Sequence, residues 1–219
     1  LQDNRADLRD KFRFTLAAAG FLTVPLFTLV ALQSAAVLGM VYGEKWLPAA
    51  PYMSALAAAI PAVSLGMLAG GVLRGLGYVG RQLCIQVLAV VVLVGGFVAL
   101  RDLPLATVVW LVPAAYGLRL VLTLYAVCRG IDLSLRELAA VARGPLLLSA
   151  LGAAVCLAVR DLAPAGDWAM GLVPLAAGGA AMLAALGVRG RWFLGTQLAH
   201  TVGTVAAARF GGRHGRRDA

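Results

Sequence analysis

Six apolar runs, separated by short stretches that carry most of the arginines, constrain the fold of this 219-residue chain more than any other feature. They fall at 14–41, 52–72, 83–100, 103–127, 145–164 and 168–188. A helix needs roughly 20 apolar residues to cross the hydrocarbon layer of a bilayer, and the runs meet or approach that length. Inside such a layer each backbone N–H and C=O must be satisfied within the segment, so a run of this kind becomes a helix. The expected fold class is all-α integral membrane, with six transmembrane helices. Composition agrees, since 61% of residues are hydrophobic and 13% charged, against about a quarter charged in soluble domains. The fifth run is the weakest, with Arg160 and Asp161 near its end, and the first is long enough to tilt or kink.

Charge orients the runs independently of hydropathy. With the N-terminus inside, the inner segments hold Arg5, Arg9, Lys11 and Arg13, then Arg74 and Arg81, then Arg129, Arg136 and Arg143, then six arginines from Arg189 onwards. The outer loops hold only Lys45, Arg101 and Arg160. This split of 15 to 3 predicts a multi-pass protein of the cytoplasmic (inner) membrane with both termini cytoplasmic. Without the fifth run the basic tail would lie outside. The net charge of +9 is thus accounted for by orientation and contact with membrane lipids, and nucleic acid is not an expected partner. Residues 1–190 form the transmembrane unit, and 191–219 a basic, Gly-rich cytoplasmic tail expected to be disordered.

Between the fourth and fifth runs, IDLSLRELAAVARG places Ser134 and Glu137 at capping-box spacing. A short amphipathic helix on the cytoplasmic surface is expected there. Pro25, Pro61, Pro113 and Pro174 stand inside four runs. Proline removes a backbone hydrogen bond and tends to kink a helix. Transporters use bent helices as hinges, although proline is also commoner in membrane helices generally. Gly66, Gly70, Gly71 and Gly75 give overlapping GxxxG spacings, and Ala176 to Ala181 is a small-residue run, both suited to close helix packing.

No motif points to covalent chemistry. GLGYVG at 75–80 matches GxGxxG, but it joins two apolar runs and lacks the strand that a dinucleotide site requires. A cytoplasmic hairpin flanked by Arg74 and Arg81 fits better. Those arginines could meet phosphate, or serve only the positive-inside bias. Cys84, Cys128 and Cys156 match no metal or redox spacing and read as packing residues. Both histidines, His200 and His214, lie in the tail, and the acids stand at segment ends. No Ser/His/Asp set, carboxylate pair, metal site or cofactor site is expected. Arg119 differs from the other basic residues. It sits inside the fourth run, where a charge costs several kcal/mol unless it snorkels or faces a wet cavity. Tyr116 and Thr123 share its helical face, so the stripe reads either as a snorkelling arginine or as the wall of a substrate cavity.

VPLFTLVALQSAAVLGMVYGEKWLPAAPYMSALA, with Pro25, Gly43, Glu44, Lys45, Trp46, Ala49 and Ala50, resembles the polysaccharide transporter family. That family includes O-antigen, lipopolysaccharide and exopolysaccharide flippases of the multidrug/oligosaccharidyl-lipid/polysaccharide exporter superfamily. LRGLGYVGRQL and SLRELAAVARGPLLLSA are similar to its cytoplasmic hairpin and later amphipathic helix. Members have two six-helix lobes around a central cavity, so the resemblance implies that this chain is the C-terminal lobe, with an N-terminal lobe of the same protein as its missing partner. The start at Leu1 without Met fits a fragment. The implied function is movement of an undecaprenyl-pyrophosphate-linked oligosaccharide across the membrane by alternating access, with no enzymatic step. Basic residues would receive the pyrophosphate, and Arg119, Tyr116, Arg74 and Arg81 are the candidates. A drug/cation antiporter of the same superfamily would need an intramembrane carboxylate, and a membrane enzyme of glycan assembly would need a catalytic acid or a large loop. Neither feature is seen in the sequence.

Overall fold

A computed structural model describes residues 5–162 and 172–185. All regular structure among them is helical. In chain order the elements are α1 (Arg5–Leu32), α2 (Ser34–Tyr42), a 3₁₀ turn (Glu44–Ala49), α3 (Ala50–Gly75), α4 (Val79–Ala99), α5 (Leu105–Val108), α6 (Leu111–Gly130), α7 (Leu135–Leu162) and α8 (Leu172–Ala185). Five helical stretches are long and apolar enough to cross a membrane, and α8 is a shorter apolar helix. The expected all-α integral membrane class is what the structure shows. The run at 168–188 lies partly outside the described residues, as does the whole tail from 191.

The helix breaks depart from expectation. The first run divides at Gln33, not at Pro25, which α1 accommodates in its interior. Two other helices hold that break. Ser54 of α3 donates to the Ala31 carbonyl (2.7 Å) where α1 ends, and the buried Gln33 places its Nε2 3.1 Å from Cys156 Sγ of α7. The fourth run also divides, into α5 and α6. Pro113 then falls in the first turn of α6, where its missing N–H would have had no helical acceptor. The prolines therefore mark two different situations, helix interiors at Pro25 and Pro61 and a helix start at Pro113.

A separate surface helix after Ser134 was expected, and the structure instead carries α7 without interruption from Leu135 through Pro145 to Leu162. The Pro145 ring is buried against Gly20 of α1, where an added Cβ would lie 3.2 Å from its Cγ. Ser149 Oγ bonds the Pro145 carbonyl (2.9 Å). With the helix pinned on both sides of the proline, the lost backbone bond does not end it. The first turns keep the amphipathic pattern, with Leu138 and Val141 packed on the core and Arg136 and Arg143 exposed. The capping box forms as expected: the Ser134 N–H donates to Glu137 Oε2 (3.0 Å) and the Glu137 N–H to Ser134 Oγ (3.3 Å).

Two cores hold the bundle. One joins Phe12 and Leu16 of α1, Ala69 and Leu73 of α3, Ile85 of α4, and Ala126, Val127 and Cys128 of α6, closed off by Ile131 and Leu133. The other joins Leu29 of α1, Leu148 and Cys156 of α7, and Met182 of α8. Small residues set the spacing here: a Cβ on Gly178 would meet the Gly152 carbonyl oxygen and Leu29 Cδ2, both at 2.9 Å. α4 is the least buried of the long helices and turns Val87, Val91, Val94 and Val98 outward. An apolar outer face is the normal surface of a helix in lipid.

Candidate functional site

The start of α1, the α3–α4 turn, the end of α6 and the start of α7 meet at one end of the bundle. Arg9 bridges to Glu137 and donates to the Asp132 carbonyl (3.4 Å). On the other side, a Cβ on Gly130 would lie 3.1 Å from Leu76 and 3.4 Å from the Tyr78 ring. Arg9, Lys11, Arg13, Arg74, Arg81, Arg129, Arg136 and Arg143 are all in the chain segments that form this end, and Lys45 and Arg101 are at the other. This is the basic end.

Backbone geometry positions its arginines. After α3, the Gly77 N–H bonds the Arg74 carbonyl and the Tyr78 N–H the Leu73 carbonyl, each at 3.0 Å. This double bond pattern with a left-handed residue is a Schellman cap, and Gly77 supplies it at φ 85°. GLGYVG is thus a helix-to-helix turn, with no strand before it. α6 ends the same way, with the Leu133 N–H on the Cys128 carbonyl (3.0 Å) and Asp132 at φ 54°. The first cap carries Arg74 and Arg81 at its two flanks, both exposed, and the Arg81 guanidinium lies 5.2 Å from the Tyr78 ring centre.

Arg119 lies 11 residues before the end of α6, about 16 Å along the axis at the helical rise. Its guanidinium sits 5.8 Å from the Tyr116 ring centre, one turn back, away from the basic end. Its Nε is shut off from solvent without a hydrogen-bond partner among the described residues. Together with Gln86 of α4 these side chains line a cleft between α4 and α6, with Ala89, Val90, Leu93 and Ala115 as its apolar walls. The cleft is partly open, and its space is about 20 Å³, room for roughly one water molecule. Thr123 shares the helical face but not the cleft. It is fully buried, and its hydroxyl bonds the Arg119 carbonyl (2.8 Å). The polar stripe therefore reduces to Tyr116 and Arg119.

Gln86 was not singled out from the sequence, and neither was Gln82. The available signal was two glutamines four residues apart in an otherwise apolar helix. Gln82 is buried against Gly70, where a Cβ would come 2.7 Å from its Nε2, and its Oε1 has no hydrogen-bond partner among the described residues. Arg74 and Arg81 stand at the α3–α4 turn, and Tyr116 and Arg119 deeper along α6. The structure thus gives the four candidate residues as two pairs, not one cluster.

At the opposite end, YGEKW forms a corner between α2 and α3. Gly43 adopts φ 85°, ψ 171°, a conformation essentially restricted to glycine. Glu44–Ala49 then turns as a 3₁₀ segment, with the Trp46 ring tilted 51° against Tyr42 at 5.8 Å. Phe27, Tyr42, Trp46, Tyr52, Met53 and Ile60 border an apolar groove of about 520 Å³. Cys84 is exposed and Cys128 and Cys156 buried, all as free thiols. Among the described residues no group of three His, Cys, Asp or Glu side chains converges.

No curated protein and no solved structure matches this chain. Residues 1–51, which span α1, α2 and the YGEKW corner, match the family model described as polysaccharide biosynthesis protein, and this supports the polysaccharide transporter resemblance and a polysaccharide biosynthesis role for this all-α membrane chain.

Proposed function

We propose that this chain is one lobe of a flippase that moves an undecaprenyl-pyrophosphate-linked oligosaccharide across the inner membrane by alternating access, without covalent chemistry. The match of residues 1–51 to polysaccharide biosynthesis proteins carries this reading. Arg119 is the residue for the pyrophosphate. Its planar fork can grip two phosphate oxygens and stays charged when desolvated. Its orientation over Tyr116 and its Nε, unpartnered among the described residues, favour a role in a polar path over snorkelling to the basic end. Arg74 and Arg81 stand at the mouth of that path, and the apolar groove beside Trp46 suits hydrocarbon better than sugar. The cleft at Arg119 is too small for a sugar, so binding requires the lobe to open against its partner lobe.

The test is to measure surface glycan and membrane abundance together in cells producing the full-length protein as wild type, Arg119→Ala or Arg119→Lys. Loss of glycan at normal abundance with Ala, and partial recovery with Lys, is the expected result. Normal export by Arg119→Ala at normal abundance removes Arg119 from the path.

A further inference from the structure

We propose that the rim formed by the α3–α4 turn and the end of α6 is a docking site for the headgroup of an anionic membrane phospholipid, held by Arg74, Arg81 and Arg129. This does not depend on the flippase reading.

The first observation is charge segregation within one end of the bundle. The described acids of this end are Asp7 and Asp10 on α1, Asp132 in the α6–α7 link and Glu137 on α7. Glu137 takes Arg9 and Arg13, Asp7 takes Lys11 (2.6 Å), and Asp10 approaches Arg13 (3.9 Å). No described carboxylate pairs with Arg74, Arg81 or Arg129, although all three are exposed. Positive-inside bias explains why basic residues gather at this end. It does not explain why the ion pairs described at this end all lie on α1 and α7.

The second observation is proximity. Gly70 of α3 faces Gln82 of α4, and Arg74 lies one turn further along that face while Arg81 adjoins Gln82. Tyr78 lies between these two arginines in the turn, and a Cβ added at Gly130, the residue after Arg129, would lie 3.4 Å from its ring. The end of α6 that carries Arg129 therefore packs against the turn that carries Arg74 and Arg81.

The third observation is how the cations are held. Arg81 stacks over Tyr78 (5.2 Å) and Arg129 over Tyr125 (5.8 Å), and both tyrosines are exposed. Stacking fixes a guanidinium by its face and leaves its edge donors free. Tyrosine and arginine at the end of a membrane helix lie at headgroup depth, where anionic lipids offer phosphate oxygens that suit bidentate arginine.

The test uses the full 219-residue chain, purified in detergent and exposed to equal amounts of phosphatidylglycerol and phosphatidylcholine, with retained lipid counted by native mass spectrometry. A several-fold preference for phosphatidylglycerol is expected, and it should fall to parity in R74Q/R81Q/R129Q. The basic tail is present throughout, so the loss reports the rim alone. K11Q/R101Q should keep the preference, and R74K/R81K/R129K should keep most of it. Parity in the wild type or an undiminished preference in the triple glutamine variant overturns the proposal. Should the triple variant fail to fold, the three single glutamine variants decide: each should lower the preference, and no change in any of them is again a refutation.

Discussion

Arg9 and Arg13 stand at the same end of the bundle as Arg74, Arg81 and Arg129, yet their surroundings differ. On the α1–α7 side, one carboxylate, Glu137, accepts two arginines while also capping its own helix. Beneath it, glycines bring α7 and α8 close together, and Leu148 and Cys156 are fully enclosed. On the α3–α4–α6 side Arg81 and Arg129 lie over tyrosine rings, no described carboxylate pairs with Arg74, and α4 presents most of its surface outward. The first arrangement spends its charges on joining helices. The second leaves them available to phosphate. Identical residue types at one end of the bundle can thus be tied into ion pairs or left exposed, and the acids within reach decide which.

The comparison fails if the two sides respond alike to substitution. Thermal unfolding of the detergent-purified chain reads this directly. Leu148→Ala empties a site that is 1% exposed and should cost about 2–5 kcal/mol. Val121→Ala, on the outward face of α6, should change little. Gly178→Val comes next, at about 1–3 kcal/mol, because the Gly152 carbonyl it would meet belongs to a backbone that cannot turn aside. Glu137→Ala should lower the melting temperature more than Ser134→Ala, since it removes the side-chain acceptor of the Ser134 N–H together with the carboxylate that Arg9 and Arg13 share. Ser134→Ala alone should cost about 1 kcal/mol. R74Q/R81Q/R129Q should fall within about 0.5 kcal/mol of wild type. A large loss from that triple variant would mean that the rim is structural, and the contrast between the sides would collapse.

Much of the fold was legible because hydropathy is a local property. Five of the apolar runs reappear in helical stretches of membrane length, and the capping box was readable because Ser134 and Glu137 lie within one turn. Break positions were less legible. Proline marks a weak point, but whether the helix yields there depends on neighbours such as Gly20, which makes room for the Pro145 ring. The candidate site divides the same way. Tyr116 and Arg119 could be paired from helical spacing, and the structure keeps them together. Thr123 has the same spacing yet turns its hydroxyl to its own backbone, because that part of α6 is packed into the core beside α3. Gln86 joins Arg119 only because α4 lies against α6.

The sequence by itself determined that this chain carries membrane-length apolar helices, with most basic residues of the described segments gathered at one end of them. Both properties follow from how each short segment partitions between hydrocarbon and water, which needs no knowledge of distant residues. Only the tertiary structure decided which arginines are spent on ion pairs, where α1 gives way to α2, and which polar residues share a cleft. Those outcomes depend on side chains meeting across the bundle, as Arg9 meets Glu137 from 128 residues away, and no local rule of spacing reaches that far.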